Sequence, residues 1–526
     1  MDTGDVLLYD TTLRDGTQGE QINFSAEEKL RIAQRLDDVG FHYIEGGWPG
    51  SNPKDIRFFE LARDVTFKHA RLTAFGSTRR PDKRVETCPN LTALLMAETP
   101  VVTIFGKTWD LHLDILKISV DDNLAMIHDS IEHLKKKGKE VIYDAEHFFD
   151  GYKHDPKYAC KVIEVALAAG ADTVVLCDTN GGTLPHEVTA IIGEVSALFP
   201  SRKLGIHAHN DGGLGVANTL AAVLIGVKMV HGTINGYGER CGNADLISVI
   251  GNLQLKMKRR CLEDASIRQL TNLSNYISDI ANIPPLNSRP FVGRSAFAHK
   301  GGVHVEAISK NPAAYEHILP EWVGNTQRVL VSELAGKSNI EYKAREMGID
   351  LGHDSTISRK IVQEIKRMEA QGYQFEAAEG SLSVLLKKAT GKFKEPFTLE
   401  SFQVINAKIK DNPPVSQATI KISVGDEEEL TAAEGNGPVN ALDNALRKAL
   451  TKFYPRIREM HLVDFKVRIL EGSEGTAAKV RVLLDSRDED EIWSTVGVSA
   501  NIIEASWNAL VDSIQYKLSK DEMKVH

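Results

Sequence analysis

Short β-rich runs alternate with amphipathic helical segments through the first 250 residues, and this alternation constrains the fold more than any other feature of the chain. The runs are VLLYD (6–10), YIEGG (43–47), LTAF (72–75), VVTIF (101–105), EVIYDA (140–145), TVVLCDT (173–179), LGIHAH (204–209) and MVHGTIN (229–235). Eight strand-helix units in about 250 residues match the length of a closed (β/α)8 barrel. An open doubly wound sheet is the competing architecture, but no Gly-x-Gly-x-x-Gly fingerprint follows any of the runs. The helices between them carry start signals. In SAEEKLRIAQRLDDVG, Ser25 and Glu28 predict a capping box, while Ile32, Leu36 and Val39 line one face.

The pattern changes after residue 262. Residues 264–283 read as a helix ended by Pro284 and Pro285, followed by the irregular stretch RPFVGRSAFAHKGGVHVEA (289–307) and two helices, TISRKIVQEIKRMEAQG (356–372) and EAAEGSLSVLLKKATG (376–391). From about residue 396 the period becomes that of strands. FQVINAKI (402–409) and ATIKISVG (418–425) lead into the helix NGPVNALDNALRKAL (436–450). HLVDFKVRIL (461–470), AAKVRVLLD (477–485) and DEIWSTVGVS (490–499) lead into NIIEASWNALVDSIQYKL (501–518), and the two helices share Asn-Ala-Leu at 444–446 and 508–510. A duplicated β-β-α module is the simplest account. The expected organisation is a barrel over 1–262, helical accessory segments over 263–394, and a C-terminal α+β domain over 395–526 that serves regulation and assembly.

Composition excludes several classes of partner. The formal net charge is -9 with 26% charged residues, so the chain offers no basic platform for nucleic acid or an anionic membrane. The run KKKGK at 135–139 ends a helical pattern, where cations complement the helix dipole. The opening MDTGDVLLYDTTLRDG holds only a short apolar run flanked by acids, which predicts neither a signal peptide nor a membrane span and points to the cytoplasm. The five cysteines, Cys88, Cys160, Cys177, Cys241 and Cys261, lack metal-knuckle spacing and read mostly as buried thiols.

Chemistry concentrates at the predicted strand ends. In GIHAHNDGG (205–213), His207 and His209 stand two apart, so on a strand they face the same way with Cα atoms roughly 6.5 Å apart. Taken alone, the pair fits a polar strand end as well as a ligand pair. On a barrel, however, C-terminal strand ends share the active-site mouth. The first run ends in YDTTLRDGTQGEQ, which packs Asp10, Arg14, Asp15, Gln18 and Glu20 before the first helix. Asp15 can bind a cation while Arg14 meets an anionic oxygen that it cannot neutralise by proton transfer. A solvated loop is the bland reading of Gln18 and Glu20. The eighth run leads into NGYGERCGNADL, where Asn243 can offer a neutral oxygen and also cap the next helix, with Glu239 and Arg240 as supporting charges. Glu146 and Thr179 stand at the ends of the fifth and sixth runs. Asp144 and Asp178 fit structural roles equally well.

Three motifs together, DTTLRDGTQGE, GIHAHNDGGLGVANTLAA and GYGERCGNADL, resemble the isopropylmalate, homocitrate and citramalate synthase family, and the likeness runs from about residue 5 to the end. The longer opening through GGWPGSNPKD and the later VLVSELAGKSNI resemble its citramalate-forming members most. The resemblance implies a divalent metal held by Asp15, His207, His209 and Asn243, with Arg14 beside the keto oxygen and Glu146 and Thr179 in the 2-oxoacid site. It also implies that His299 of FAHKGGVH works over the active site as a general base. The local HKGG departs from the family's HQDG, and His304 is a nearby rival. The C-terminal repeat resembles the family's allosteric and dimerisation domain, which implies a homodimer and feedback by the pathway end product, isoleucine.

The reaction implied is condensation of acetyl-CoA with pyruvate, with hydrolysis of the thioester to (R)-citramalate and CoA. Mg²⁺, Mn²⁺ and Zn²⁺ all suit two imidazoles with oxygen ligands. The alternatives are a 2-isopropylmalate synthase acting on 2-oxoisovalerate, a retro-aldol lyase on the same barrel, and a non-catalytic amino-acid sensor.

Overall fold

The computed structural model describes residues 5–200, 203–352, 355–391, 393–408, 410–411, 413–470 and 478–525. Ile409 and Ala477, at the ends of two predicted strands, and the first four residues of the predicted barrel segment lie outside them. The chain divides into two units. One runs through Phe297 and includes Ile318–Gln327; the other comprises Ala298–His317 and everything from Arg328 onward.

The first unit is a closed barrel of eight parallel strands: β1 (Leu7–Asp10), β2 (Tyr43–Gly47), β3 (Arg71–Ser77), β4 (Val101–Lys107), β5 (Glu140–Glu146), β6 (Thr173–Asp178), β7 (Leu204–Ala208) and β8 (Met229–Gly232). β1 closes the ring on β8, with Tyr9 opposite His231 and Asp10 opposite Gly232. Strands in such a barrel are covered on both faces, which is why they read as nearly continuous apolar runs. Tyr9, Tyr43, Val101, Ile142, Val175, Cys177 and Met229 form the buried interior cluster. Outside, Ala26–Val39 starts at the expected Ser25–Glu28 capping box and buries Ile32, Leu36 and Val39 completely. Full burial of one such side chain contributes about 1.5–3 kcal/mol.

Three barrel strands end earlier than their sequence runs predict, β6 by a single residue, at Asp178. β8 stops at Gly232, and Ile234–Gly236 forms a 3₁₀ turn in which Asn235 adopts φ 66°. β7 stops at Ala208, and His209 instead makes an isolated bridge to Asn243. These departures carry the chain into the loops that bear the candidate site. The helix predicted over 264–283 is also two pieces, Asp264–Ile267 and Leu270–Ile280. At the break, Gly324 comes so close that a Cβ there would lie 2.1 Å from the Arg268 carbonyl oxygen.

The second unit opens with a two-stranded parallel pair, β9 (Ala298–His299) and β10 (Arg328–Val329). Helices Lys337–Glu346, Ser355–Ala370 and Glu379–Ala389 then bury Ile340, Ile361, Ile365, Leu382 and Leu386 around Phe375. The C-terminal duplication is present, with a correction to its make-up. Each copy has three strands before its helix, so the first carries one more than its two predicted runs and the second matches its three: β11 (Thr398–Ala407), β12 (Val415–Val424) and β13 (Glu427–Gly435) before Pro438–Thr451, and β14 (His461–Ile469), β15 (Val480–Arg487) and β16 (Ile492–Ser499) before Ile502–Val525. The acidic, largely exposed start of β13, EEEL, hides it from a hydrophobic pattern. The copies share a device. Thr431 donates to the Ala445 carbonyl at 2.9 Å, and Thr495 to the Ala509 carbonyl at 2.8 Å, each tying the third strand to its helix through the common Asn-Ala-Leu.

All five cysteines are free thiols; Cys88, Cys177 and Cys261 are buried, and Cys241 is exposed. Among the described residues no helix is long and apolar enough to cross a membrane.

Candidate active site

Asp15 lies in the loop after β1, just before the 3₁₀ turn Gly16–Gln18, His207 lies within β7, and His209 stands just beyond it. Barrel closure brings their side chains together. One Asp15 oxygen, Oδ2, lies 3.2 Å from His207 Nε2 and 3.8 Å from His209 Nε2, and all three residues are buried. A ligand atom from each lies within 4.8 Å of the others, a spacing suited to one metal ion. Asp15 Oδ1, His207 Nδ1, His209 Nδ1 and Asn243 Oδ1 are buried without a hydrogen-bond partner. Buried polar atoms are nearly always satisfied, so the unpartnered Asp15 and Asn243 oxygens, with the two imidazole Nε2 atoms turned toward Asp15, fit a divalent cation. Asn243 does not cap the following helix as predicted. Asp245 does so, accepting from the Ile247 amide at 3.1 Å, while Asn243 Nδ2 reaches the Tyr237 carbonyl at 3.3 Å.

The electrostatics suit a cation. Burial alone would raise the Asp15 carboxyl, but Arg14 and His207 hold it well below the usual carboxylate range. Burial and the neighbouring His207 push His209 down to about 4, which favours its neutral, ligating form.

Arg14 is held on three sides. Its Nε donates to Glu45 Oε1 at 2.5 Å, its Nη1 lies 3.3 Å from Asp15 Oδ2, and its guanidinium lies 3.8 Å from the centre of the Phe75 ring. Burial opposes its charge, yet Glu45 and Asp15 keep it firmly protonated. Glu45 is fully buried in β2 and was not anticipated from the sequence. Its signal is a lone carboxylate inside the apolar run YIEGG.

A cavity of about 170 Å³ opens beside this cluster. Arg14, Asp15, His207 and His209 line it together with Asp144, Glu146, Cys177 and Thr179. Trp48, Phe75 and Phe105 form an aromatic wall that sequence reasoning also missed. Trp48 meets both phenylalanines edge-on at 5.8 and 5.6 Å, and the two phenylalanines stack at 5.5 Å. Glu146 pairs with Lys107. Thr179 Oγ1 accepts the His147 amide at 2.9 Å, which leaves its own O–H as a donor.

The remaining predicted residues separate clearly. Asp10 accepts the Thr12 amide and hydroxyl at 3.0 and 2.7 Å, and burial pushes its carboxyl up to about 7; it shapes the loop and does not line the cavity. Asp178 likewise accepts the Thr183 hydroxyl at 2.8 Å. Asp144 does line the cavity, with Oδ1 unpartnered and burial raising it to about 7. Gln18 and Glu239 line the rim, whereas Glu20 is exposed and does not. Arg240 grips Asp211 through Nε and Nη2 at 2.7 and 2.9 Å and also donates to the Thr179 carbonyl at 2.7 Å, latching three loops together. In the second unit, His299 is buried with Nε2 3.0 Å from Glu316 Oε1, while His304 is exposed and stacks on Tyr315 at 4.1 Å.

Comparison with known proteins places this site in a family. The HMGL-like family model matches residues 5–277, a homocitrate synthase post-HMGL domain-like model matches 291–373, and the LeuA allosteric (dimerisation) domain matches 376–518. The (R)-citramalate synthase of Aquifex aeolicus is 56% identical over 519 residues, covering 98% of both chains. That of Geobacter sulfurreducens is 54% identical over the same length and coverage. The 2-isopropylmalate synthase of Pseudoalteromonas atlantica is 30% identical over 513 residues, 96% of this chain and 94% of its own. With both of its halves matched and its full length shared, the chain belongs to the isopropylmalate, homocitrate and citramalate synthase family, on the citramalate synthase branch.

Proposed function

We propose that the barrel condenses acetyl-CoA with pyruvate and water to give (R)-citramalate and CoA. The observation that carries this reading is the buried Asp15–His207–His209 cluster beside Arg14, at the edge of a small aromatic-walled cavity. Asp15, His207, His209 and Asn243 would hold the cation, which supplies Lewis-acid polarisation of a bound 2-oxoacid. Mg²⁺, Mn²⁺ and Zn²⁺ all suit this donor set.

The chain's own groups account for the rest. Thr179 can donate to the substrate carboxylate, and Arg14 presents fixed positive charge to the keto oxygen as it becomes an alkoxide. A base removes a proton from the acetyl methyl, and the new carbon–carbon bond joins that carbon to the keto carbon. His299, buttressed by Glu316, is our candidate base, with Glu146 receiving or returning the hydroxyl proton. Water then cleaves the thioester, and CoA leaves as the thiol.

Trp48, Phe75 and Phe105 favour the methyl of pyruvate over the branched tail of 2-oxoisovalerate, because each extra methyl in a tight pocket is worth about 1–3 kcal/mol. Kinship supports the same choice, at more than half identity with citramalate synthases against 30% with a 2-isopropylmalate synthase. We further assign the C-terminal modules to pairing of two chains and to isoleucine feedback, and place the enzyme in the cytoplasm. The functional segments run 1–262, 263–394 and 395–526, which limited proteolysis checks.

The deciding experiment measures thiol release from acetyl-CoA with pyruvate, 2-oxobutyrate and 2-oxoisovalerate, with and without each metal. Metal-dependent turnover greatest with pyruvate is expected. Preference for 2-oxoisovalerate would make it an isopropylmalate synthase, cleavage of citramalyl-CoA without synthesis a lyase, and isoleucine binding without thiol release a sensor.

A further inference from the structure

We infer that Tyr9 is a positioning residue for the condensation, acting on Arg14 through Glu45; the inference rests on the role given to Arg14 above. Tyr9 lies in β1 and does not line the cavity, yet its hydroxyl ends in a closed relay. The phenol donates to Glu45 Oε2 at 2.5 Å, and Glu45 Oε1 takes the Arg14 Nε hydrogen at 2.5 Å. Both carboxylate oxygens are therefore committed, one to each neighbour. The Tyr9 oxygen also meets Thr103 Oγ1 at 2.7 Å, so the hydroxyl that gives its proton to Glu45 can accept one from Thr103. Tyr9, Glu45 and Thr103 are all completely buried, and no water-exposed route competes for these bonds.

The ring is fixed as firmly as the hydroxyl. Its face stacks on His231 of β8 with centroids 3.8 Å apart and planes 9° from parallel, across the seam where β1 meets β8. Tyr9 is thus clamped by β8, β2 and β4, and it passes that rigidity to one edge of the Glu45 carboxylate. The other edge sets the Nε side of the Arg14 guanidinium, while Phe75 covers one face and Asp15 takes Nη1. Catalytic groups require support of this kind, because a misplacement of about 1 Å can cost about 100-fold in rate.

The test replaces one oxygen. Tyr9→Phe keeps the ring and its stack on His231 but removes the donor to Glu45. We expect kcat with pyruvate to fall by roughly 10- to 100-fold, while KM for acetyl-CoA and bound metal per chain stay at their wild-type values. In a Glu45→Gln background the same change should cost almost nothing more, since the relay is already broken. Should Tyr9→Phe fail to fold, Thr103→Val removes the second contact to the same hydroxyl and should lower kcat by a smaller factor with the same non-additivity. Wild-type kcat in Tyr9→Phe, a loss that only follows lost metal, or full additivity with Glu45→Gln would each overturn the inference. Absence of thiol release by the wild-type protein would instead overturn the reaction assignment, so the two failures are distinguishable.

Discussion

Arg14 and the two histidines serve one site by different physics, and their replacements should separate cleanly. A cation held by Asp15, His207 and His209 loses a ligand when either imidazole becomes alanine, so His207→Ala and His209→Ala should lower metal per chain and turnover together, as read by elemental analysis and thiol release. Arg14→Lys keeps the positive charge but loses the planar fork that fits Glu45, Asp15 and an oxyanion at once. Metal content should hold while kcat falls by about 10²–10³, the usual effect of losing an oxyanion donor. A residue of the second unit offers a test by pH. Burial raises the Asp512 carboxyl, and a bond from Ser381 and the charge of Lys388 only partly pull it back, leaving it at about 6. The folded state then holds this proton more tightly than the unfolded chain, whose aspartates titrate near about 3.9. The ionisation cost is absent below about pH 4, grows to about pH 6 and is constant above. Asp512→Asn should therefore raise Tm at pH 7–8, by about 2–4 °C for each kcal/mol relieved, and leave it unchanged at pH 4. The sequence revealed Arg14, Asp15, His207 and His209 because polar residues crowd into short loops there. Tyr9, Phe75, Phe105 and His231 escaped because each reads as an ordinary strand residue until the barrel closes and their neighbours arrive from other strands.

Elements were legible where burial dominates their sequence. Seven barrel strands appear within two residues of prediction because each is largely apolar, while β8 ends three residues early, and the errors fall at ends such as His209 and Thr233, where loop contacts replace the ladder. β13 was missed for the opposite reason: it is a surface strand whose first turns are glutamates, so its pairing with β12 rather than its side chains defines it. The same module architecture yields a stability prediction at β16. Gly497 faces the final helix so closely that a Cβ would lie 1.9 Å from the Ala505 carbonyl oxygen and 2.9 Å from the Ala509 amide nitrogen. Backbone on both sides cannot yield as a side chain can, so Gly497→Ala should separate the strand from its helix and cost at least the ~1–3 kcal/mol typical of overpacking. Gly437 is extended, with nothing near its missing Cβ, and Gly437→Ala should be nearly neutral. Thermal unfolding of the two variants checks the contrast; equal melting temperatures would mean that the helix is not seated on β16 as described.

At the scale of the whole molecule, the C-terminal modules leave apolar surface that their own helices do not cover. β14 is an edge strand, and on it Phe465, Val467 and Ile469 pair with Leu484, Val482 and Val480 of β15. Val482 and Leu484 are buried under the final helix, yet Val467 and Ile469 on the edge are 41% and 60% exposed. An apolar edge strand whose outer side no other described strand pairs invites pairing with another chain, and the match to a dimerisation domain supports the proposed pairing with a second copy. We expect a dimer in solution, and Val467→Lys with Ile469→Lys should shift it toward monomer in light scattering without changing the barrel's metal content. The proposed isoleucine feedback has a physical requirement, because an effector alters turnover only if it binds the active and inactive states with different affinity. A tenfold loss of pyruvate affinity on isoleucine binding corresponds to about 1.4 kcal/mol of coupling. By reciprocity, pyruvate and metal should weaken isoleucine binding by the same factor, provided turnover is blocked by omitting acetyl-CoA. Isothermal titration of isoleucine with and without pyruvate measures that factor directly. Equal affinity in the two titrations, alongside undiminished turnover at saturating isoleucine, would remove feedback from the role of these modules and leave them to dimerisation alone.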